Sequence, residues 1–377
     1  MTETEYWFSS EEYAARLVRV QEEIKARGAK ALLAFQPETV TWVTGFFTRG
    51  YSSFQFAVIP AEGDPVIVCR DVEEYYLDRT CIFAGRYLWS DSDNKVELTA
   101  RAVRETVGDG GVLAIEMGSW QLNAARYAAL IEGFPNTKFI DAGAMVTTMR
   151  FIKLPAEIAY QRRAAKAAEA GMEAGRAAAG PGVTEREMAA EICAAMIRAG
   201  SDLPGPGVLS SGERAFHLHG GYGDRVLEDG DVVQLECTPN VRHHHARFMR
   251  PIKIGAPTAE ELDFVGKMID IQDRAIAEVG PGVHNQVPDR IYREGALSAE
   301  LVKRYTNKSF YSVGFLLQPS GGEPLEAAPG AEWSFMPGMT FHTYILAANF
   351  GMSETITITE TGCERLTNFR RELLVAG

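Results

Sequence analysis

The stretch 231–255, DVVQLECTPNVRHHHARFMRPIKIG, carries the reading of the fold. Its two ends, DVVQLECTPN and ARFMRPIKIG, are rich in β-branched and apolar residues, and Pro239 and Asn240 interrupt the run between them. That pattern predicts two strands of a hairpin. Three of the chain's 7 histidines, His243, His244 and His245, fall together at the start of the second strand. In a strand, His243 and His245 share one face and His244 takes the other. The same alternation separates Glu236 from Cys237. If Glu236 faces a pocket, Cys237 turns away from it, which argues against a Cys–His nucleophile. Three adjacent imidazoles cannot all reach one ion, so a metal site here would need ligands from other strands, such as His342 or Glu236.

Upstream of the hairpin the chain changes character twice. SSEEYAARLVRVQEEIKARG (9–28) opens on serine caps, keeps apolar residues at helical spacing and ends at a glycine, as a helix should. AKALLAF (29–35) predicts a buried strand, and FQFAVIP and DPVIVCR predict two more around the turn AEGD. GGVLAIEM, SWQLNAARYAALIEGF and TKFIDAG continue as strand, helix and strand. Alternation of this kind makes an α/β domain over 1–150. Residues 149–200 are almost all helix formers, broken by GPGVTE, where Thr184 and Glu187 stand at capping-box spacing. Past residue 200 the chain is rich in strands, and SETITITETGCERLT alternates strictly, the mark of half-buried antiparallel strands. A second domain of α+β type is expected over 151–377.

Composition narrows the partners. A net charge of −12 disfavours nucleic acid and anionic membranes, which select basic patches. No run approaches the roughly 18 apolar residues of a membrane span. Five scattered cysteines without a CxxC fit free thiols in a reducing, cytoplasmic setting.

Five ordered motifs carry a resemblance: FIKLPAEIAYQRRAAKAAEAG, GPGVTEREMAAEI, SGERAFHLHGGYGDRVLEDGDVVQLE, PGMTFHTY and SETITITETGCERLT. In order and spacing they resemble the creatinase/prolidase (pita-bread, M24-like) superfamily across 151–377, and 1–150 resembles its N-terminal α/β domain more loosely. The resemblance implies a pita-bread catalytic domain. In metal-using members that domain holds two divalent ions with two Asp, one His and two Glu. Here Glu236 stands at the first Asp position, Arg247 at the second, Tyr311 at the His and Tyr344 at the first Glu. Glu354 is the nearest survivor of the last Glu, with its register open by one residue. A guanidinium where a dication belongs opposes binding it. The resemblance therefore points to the metal-free branch, similar to creatinase and ectoine hydrolase, with no cofactor. Creatinases carry a Glu before the strand arginine, whereas this chain has Met249 before Arg250.

The resemblance implies a hydrolase that cleaves a C–N bond in a small zwitterion: a cyclic amidine, a guanidino compound or an amide. His219, in HLHGGYGDR, is the expected proton carrier, with His217 its competitor. Glu236 and Glu354 are expected to complete the catalytic set by holding a cationic group. Arg247, Tyr311, Tyr344, His245 and His342 are the expected substrate-binding residues. The resemblance also implies a homodimer, with Arg49, Phe54 and Gln55 of TGFFTRGYSSFQF reaching the partner's active site. Alternatives are a lyase or biosynthetic enzyme using His219 as base, an inactive binding module, and an Xaa-Pro-type metallopeptidase with a rebuilt metal site.

Overall fold

The structure is a computed structural model, and it describes residues 4–205, 207–215, 217, 219–317 and 322–377. The chain divides into two compact units, Met1–Met149 and Arg150–Gly377.

The first unit is built on a six-stranded mixed sheet in the order Gly85–Trp89, Val66–Arg70, Phe56–Pro60, Ala31–Ala34, Gly111–Ile115, Thr137–Asp141. The central strand Ala31–Ala34 is wholly buried. It pairs antiparallel with Phe56–Pro60 and parallel with Gly111–Ile115. The first helix, Ser10–Ala26, starts where the Ser9 side chain accepts from the Glu12 amide at 3.2 Å. It stops before Gly28, whose φ of +65° suits a glycine. The helix Pro37–Thr44 was not expected from the sequence. Proline at its first turn and Gly45 at its C-terminus, with φ +80°, punctuate a segment that after Glu38 is made of Val, Thr and Trp.

The second unit consists of two antiparallel-rich sheets, each covered on one face by a pair of helices. The first sheet runs Leu374–Ala376, Phe248–Ile254, Val232–Cys237, Leu209–Ser211. Helices Pro155–Ala178 and Glu185–Arg198 cover it, and Met172, Met188, Ile192 and Met196 pack on Val233, Leu235, Phe248 and Ile252. Gly175 permits that approach, because a Cβ there would lie 2.7 Å from Leu235 Cδ2. The second sheet runs Glu326–Ala327, Phe310–Ser312, Thr340–Ala347, Phe350–Ile358, Cys363–Arg365. Helices Ala259–Ala277 and Gln286–Ser298 cover it through Val265, Met268, Ile271 and Tyr292 against Phe310, Phe341, Ile345 and Met352.

Strand alternation then dictates what the uncovered faces carry. If Val233, Leu235 and Cys237 point at helices, Glu236 points away from them. If Phe341 and Ile345 point at helices, His342, Tyr344 and Leu346 point away. Met249 of the first sheet packs with Tyr311, Val313, Tyr344 and Leu346 of the second in one small buried cluster. The two inner faces therefore meet, and the chemistry-bearing side chains lie where they meet.

The 231–255 hairpin has one elaboration. Val232–Cys237 and Phe248–Ile254 pair with Cys237 opposite Phe248. The connection folds into its own small hairpin, Asn240–Val241 against His244–His245. Arg242 and His243 form its tight turn, both with positive φ, +49° and +57°. This corrects the expectation that His243 and His245 share a strand face: a two-residue turn of this hand needs left-handed backbone at both central positions.

Candidate active site

Glu236 and Arg247 form the centre. Arg247 donates from Nε to Glu236 Oε1 at 2.8 Å and from Nη2 to Oε2 at 2.9 Å. This is a bidentate fork in which both carboxylate oxygens are occupied. Glu236 is 2% exposed at its side chain and Arg247 15%, so the pair is buried, and Nη1 is the guanidinium nitrogen that the fork leaves unused. Burial favours the neutral form of Arg247, yet Glu236 outweighs it and raises the guanidinium pKa. The Arg247 amide is anchored by Thr355 Oγ1 at 2.9 Å, and the Met249 amide by Ser353 Oγ at 2.6 Å.

Three rings stand beside the pair. Tyr311 lies directly across the strand pair from His342. The His342 ring stacks on Tyr344, centroids 5.3 Å apart and 15° between planes. It meets Tyr311 edge-on at 4.9 Å. Arg247 Cζ sits 5.5 Å from the Tyr311 ring centroid, a cation–π distance. Burial raises the pKa of both tyrosine hydroxyls, so each remains a donor at neutral pH. His342 is fully buried, its Nε2 is 3.7 Å from Glu236 Oε1, and neither ring nitrogen has a hydrogen-bond partner. Burial, and then Arg247, push its pKa well below the usual imidazole range.

Other expected residues lie elsewhere. Glu354 pairs across the sheet with Thr343, which puts it on the face opposite His342 and Tyr344. There Arg250 binds it at 2.6 Å, Arg371 lies 3.2 Å away, and the Thr367 hydroxyl donates to it. Glu354 is thus locked in a buried ion cluster and does not join Glu236. The side chain of that strand on the inner face is Ser353, opposite Tyr344, a residue the sequence reading passed over.

His219 and His217 are both exposed. Their loop is drawn onto the sheet edge by the Leu209 amide, which donates to the Gly220 carbonyl, and by Glu185, which accepts from the Ser211 and Gly223 amides. Among the described residues, the contacts of the Glu236–Arg247 fork do not include His219, the expected proton carrier. His217 instead lines a cavity of about 240 Å³ with Arg304, Tyr305, Asn307 and Leu346.

The histidine triplet separates into three environments. His243 is the turn residue. His244 packs on Tyr160 and Phe315, with Nδ1 2.8 Å from the Arg242 carbonyl. His245 Nε2 lies 3.1 Å from the Leu316 carbonyl, and burial lowers its pKa to about 4. Cys237 is buried in the helix-facing core, where burial raises its thiol pKa.

In the first unit, Phe54 stacks among Phe35 and Phe56, and Gln55 is buried. Neither side chain projects outward. Both were expected to reach a partner chain; within this chain Phe54 fills the core of its own sheet and Gln55 is buried. Arg49 is exposed.

A divalent metal pair needs free anionic or imidazole donors. Both Glu236 oxygens are taken by a guanidinium, and Tyr311, Tyr344 and Ser353 supply neutral hydroxyls. Among the described residues no three His, Cys, Asp or Glu converge as a metal would need. These residues do not fit a dinuclear metal centre.

The model of metallopeptidase family M24 matches residues 159–360, and that of the creatinase/prolidase N-terminal domain matches residues 16–152. The chain belongs to the creatinase/prolidase pita-bread superfamily. Within the superfamily it is 27% identical to ectoine hydrolase of Halomonas elongata over 394 residues, covering 98% of each chain. It is 26% identical to an uncharacterized hydrolase/peptidase of Sinorhizobium fredii, again covering 98% of each. The fold is that of the prolidase from Pyrococcus horikoshii OT3, with TM-score 0.85, 20% identity and coverage of 96% of this chain and 100% of that one. The dipeptidase PepE from Mycobacterium ulcerans gives TM-score 0.83 at 22% identity, covering 98% and 99%. Members of this superfamily are hydrolases. Among the described residues no helix is long and apolar enough to cross a membrane.

Proposed function

We propose that this chain is a metal-independent hydrolase that cleaves a C–N bond in a small zwitterionic amidine, guanidino compound or amide. One observation carries the reading: the Glu236–Arg247 fork occupies the centre of the site, where a dication would need free carboxylates. The free Nη1 of Arg247 and the hydroxyls of Tyr311 and Tyr344 suit a substrate carboxylate or a developing oxyanion. The tyrosine and imidazole faces suit the cationic end. The similarity to a protein named for hydrolysing ectoine supports a substrate of this kind.

The test is turnover of ectoine, creatine, guanidino acids and an Xaa-Pro dipeptide in ¹⁸O-labelled water, with and without chelator. The expected result is cleavage of a C–N compound with one solvent oxygen in the product and no effect of chelation. Cleavage of the dipeptide only after Mn²⁺, Co²⁺ or Zn²⁺ is added would make the chain a metallopeptidase. Product without solvent oxygen would make it a lyase or a biosynthetic enzyme. Neither turnover nor thermal stabilisation by any compound would make it a binding module.

A further inference from the structure

We infer that His342 is the proton carrier of this site, an assignment that rests on the hydrolase reading above and names its base. His342 is fully buried, and both ring nitrogens lack a partner. A neutral imidazole always presents one N–H and one lone pair, and a buried polar group left unmatched calls for an explanation. The histidines of the triplet serve the fold: His243 is the turn residue, His244 has the Arg242 carbonyl beside its Nδ1, and His245 has the Leu316 carbonyl beside its Nε2. His342, on Thr340–Ala347, shares the inner face with Tyr311, Tyr344 and the Glu236–Arg247 fork.

Elimination among the titratable groups facing it leads to the same residue. Glu236, from Val232–Cys237, spends both oxygens on Arg247. Arg247 is held protonated by that carboxylate, and Tyr311 and Tyr344 hold their protons because they are buried. Among the described groups at this site, His342 is the one that offers an uncommitted lone pair at neutral pH. A substrate carboxylate on Arg247 would offset the positive charge that now depresses the imidazole, so the base gains strength when the site fills.

The step balances on an amidinium. A water oxygen bonds to the amidinium carbon, the C=N π pair moves to nitrogen, and His342 takes one water proton. The resulting imidazolium protonates the leaving nitrogen, and the C–N bond breaks with its electron pair going to that nitrogen. The hydroxyl proton left on the O-protonated amide passes to the freed amine. The products are an amide and an ammonium group, and His342 returns neutral.

The experiment measures kcat and KM across pH for wild type and His342→Gln, which keeps hydrogen bonding but carries no proton. The expected result is a loss of about 10²–10⁴-fold in kcat, with KM little changed and the acid limb of the profile abolished. His342→Ala should regain part of the lost rate when free imidazole is added, which a structural role would not produce. Thermal unfolding of both variants confirms that they fold. Wild-type-like kcat and pH profile in His342→Gln would overturn the assignment while leaving the hydrolase reading intact. A wild-type chain that turns over no C–N compound would overturn both.

Discussion

At position 247 one guanidinium makes two commitments, a fork to Glu236 and a place over the Tyr311 ring, and keeps Nη1 outside the fork. The energetics of such a pair are asymmetric. Two buried charges that satisfy each other add little net stability, but removing one strands the other away from water. Arg247→Met should therefore cost about 3–5 kcal/mol of folding stability, measured by chemical denaturation. Glu236→Gln combined with Arg247→Met should recover part of that loss, since no charge is then left unpaired. If Arg247→Met unfolds at the wild-type midpoint, Glu236 was never dependent on it. That the two share one inner face was legible, because positions 236 and 247 lie on facing strands of one hairpin, although the sequence reading gave each to the substrate rather than to the other. The unmatched state of His342 was not legible, because it depends on which strand Arg247 leans toward rather than on any spacing. Such an arrangement, with an imidazole donor and acceptor both buried and unmatched, carries an energetic cost of about 1–3 kcal/mol for each group. That cost is the kind of local inconsistency that accompanies function.

At the scale of elements, the clearest organising contact is one that capping rules miss. Thr184 and Glu187 form the capping box that the sequence predicts for Glu185–Arg198. Glu185, one residue further into the cap, does the longer-range work. Its carboxylate accepts from the Ser211 amide at 2.9 Å, the Ser211 hydroxyl at 2.7 Å, the Gly223 amide at 2.8 Å and the Arg214 guanidinium. The helix thereby fixes both ends of the loop that carries His217 and His219. Burial pushes the Glu185 carboxyl up, but the Arg214, Ser211 and Gly223 bonds prevail and hold its pKa below the usual carboxylate value. Its contribution is present above the unfolded pKa and is lost as pH falls below it. Glu185→Ala should lower stability by about 2–4 kcal/mol and loosen the loop. Hydrogen exchange at the Ser211 and Gly223 amides should report that loosening, and acid denaturation should become less steep. Unchanged exchange at both amides would refute the clamp. Strands and long helices were readable because their periods are strong. Pro37–Thr44 was not, since Val, Thr and Trp favour strands and only Pro37 and Gly45 mark it as a helix. Glu354 was misplaced for a related reason: strict alternation fixes which residues share a face but not which face is inside, and a shift of one residue exchanges Glu354 for Ser353.

At the scale of the whole molecule, the question is whether the second unit's two sheets still make a metal-binding frame with its donors exchanged, or a frame that has drifted. The strand positions favour the first: Glu236, Arg247, Tyr311, Tyr344 and Ser353 come from both sheets and meet on the inner faces, at or beside the positions that the resemblance gives to metal ligands. With a net charge of −12 the chain attracts divalent ions weakly all over its surface, so bulk metal content after dialysis at high salt is the relevant measure. The donor set predicts substoichiometric Mn, Co and Zn under those conditions. The frame predicts something stronger. Restoring carboxylates and imidazole with Arg247→Asp, Tyr311→His, Tyr344→Glu and Ser353→Glu together should create a site that holds divalent metal through gel filtration, measured by elemental analysis. The version that keeps Ser353 should not, because Glu354 faces the opposite side of the strand and is tied to Arg250. If both versions bind metal equally well, the strand register runs one residue away from where alternation puts it, and Glu354 regains its place in the site.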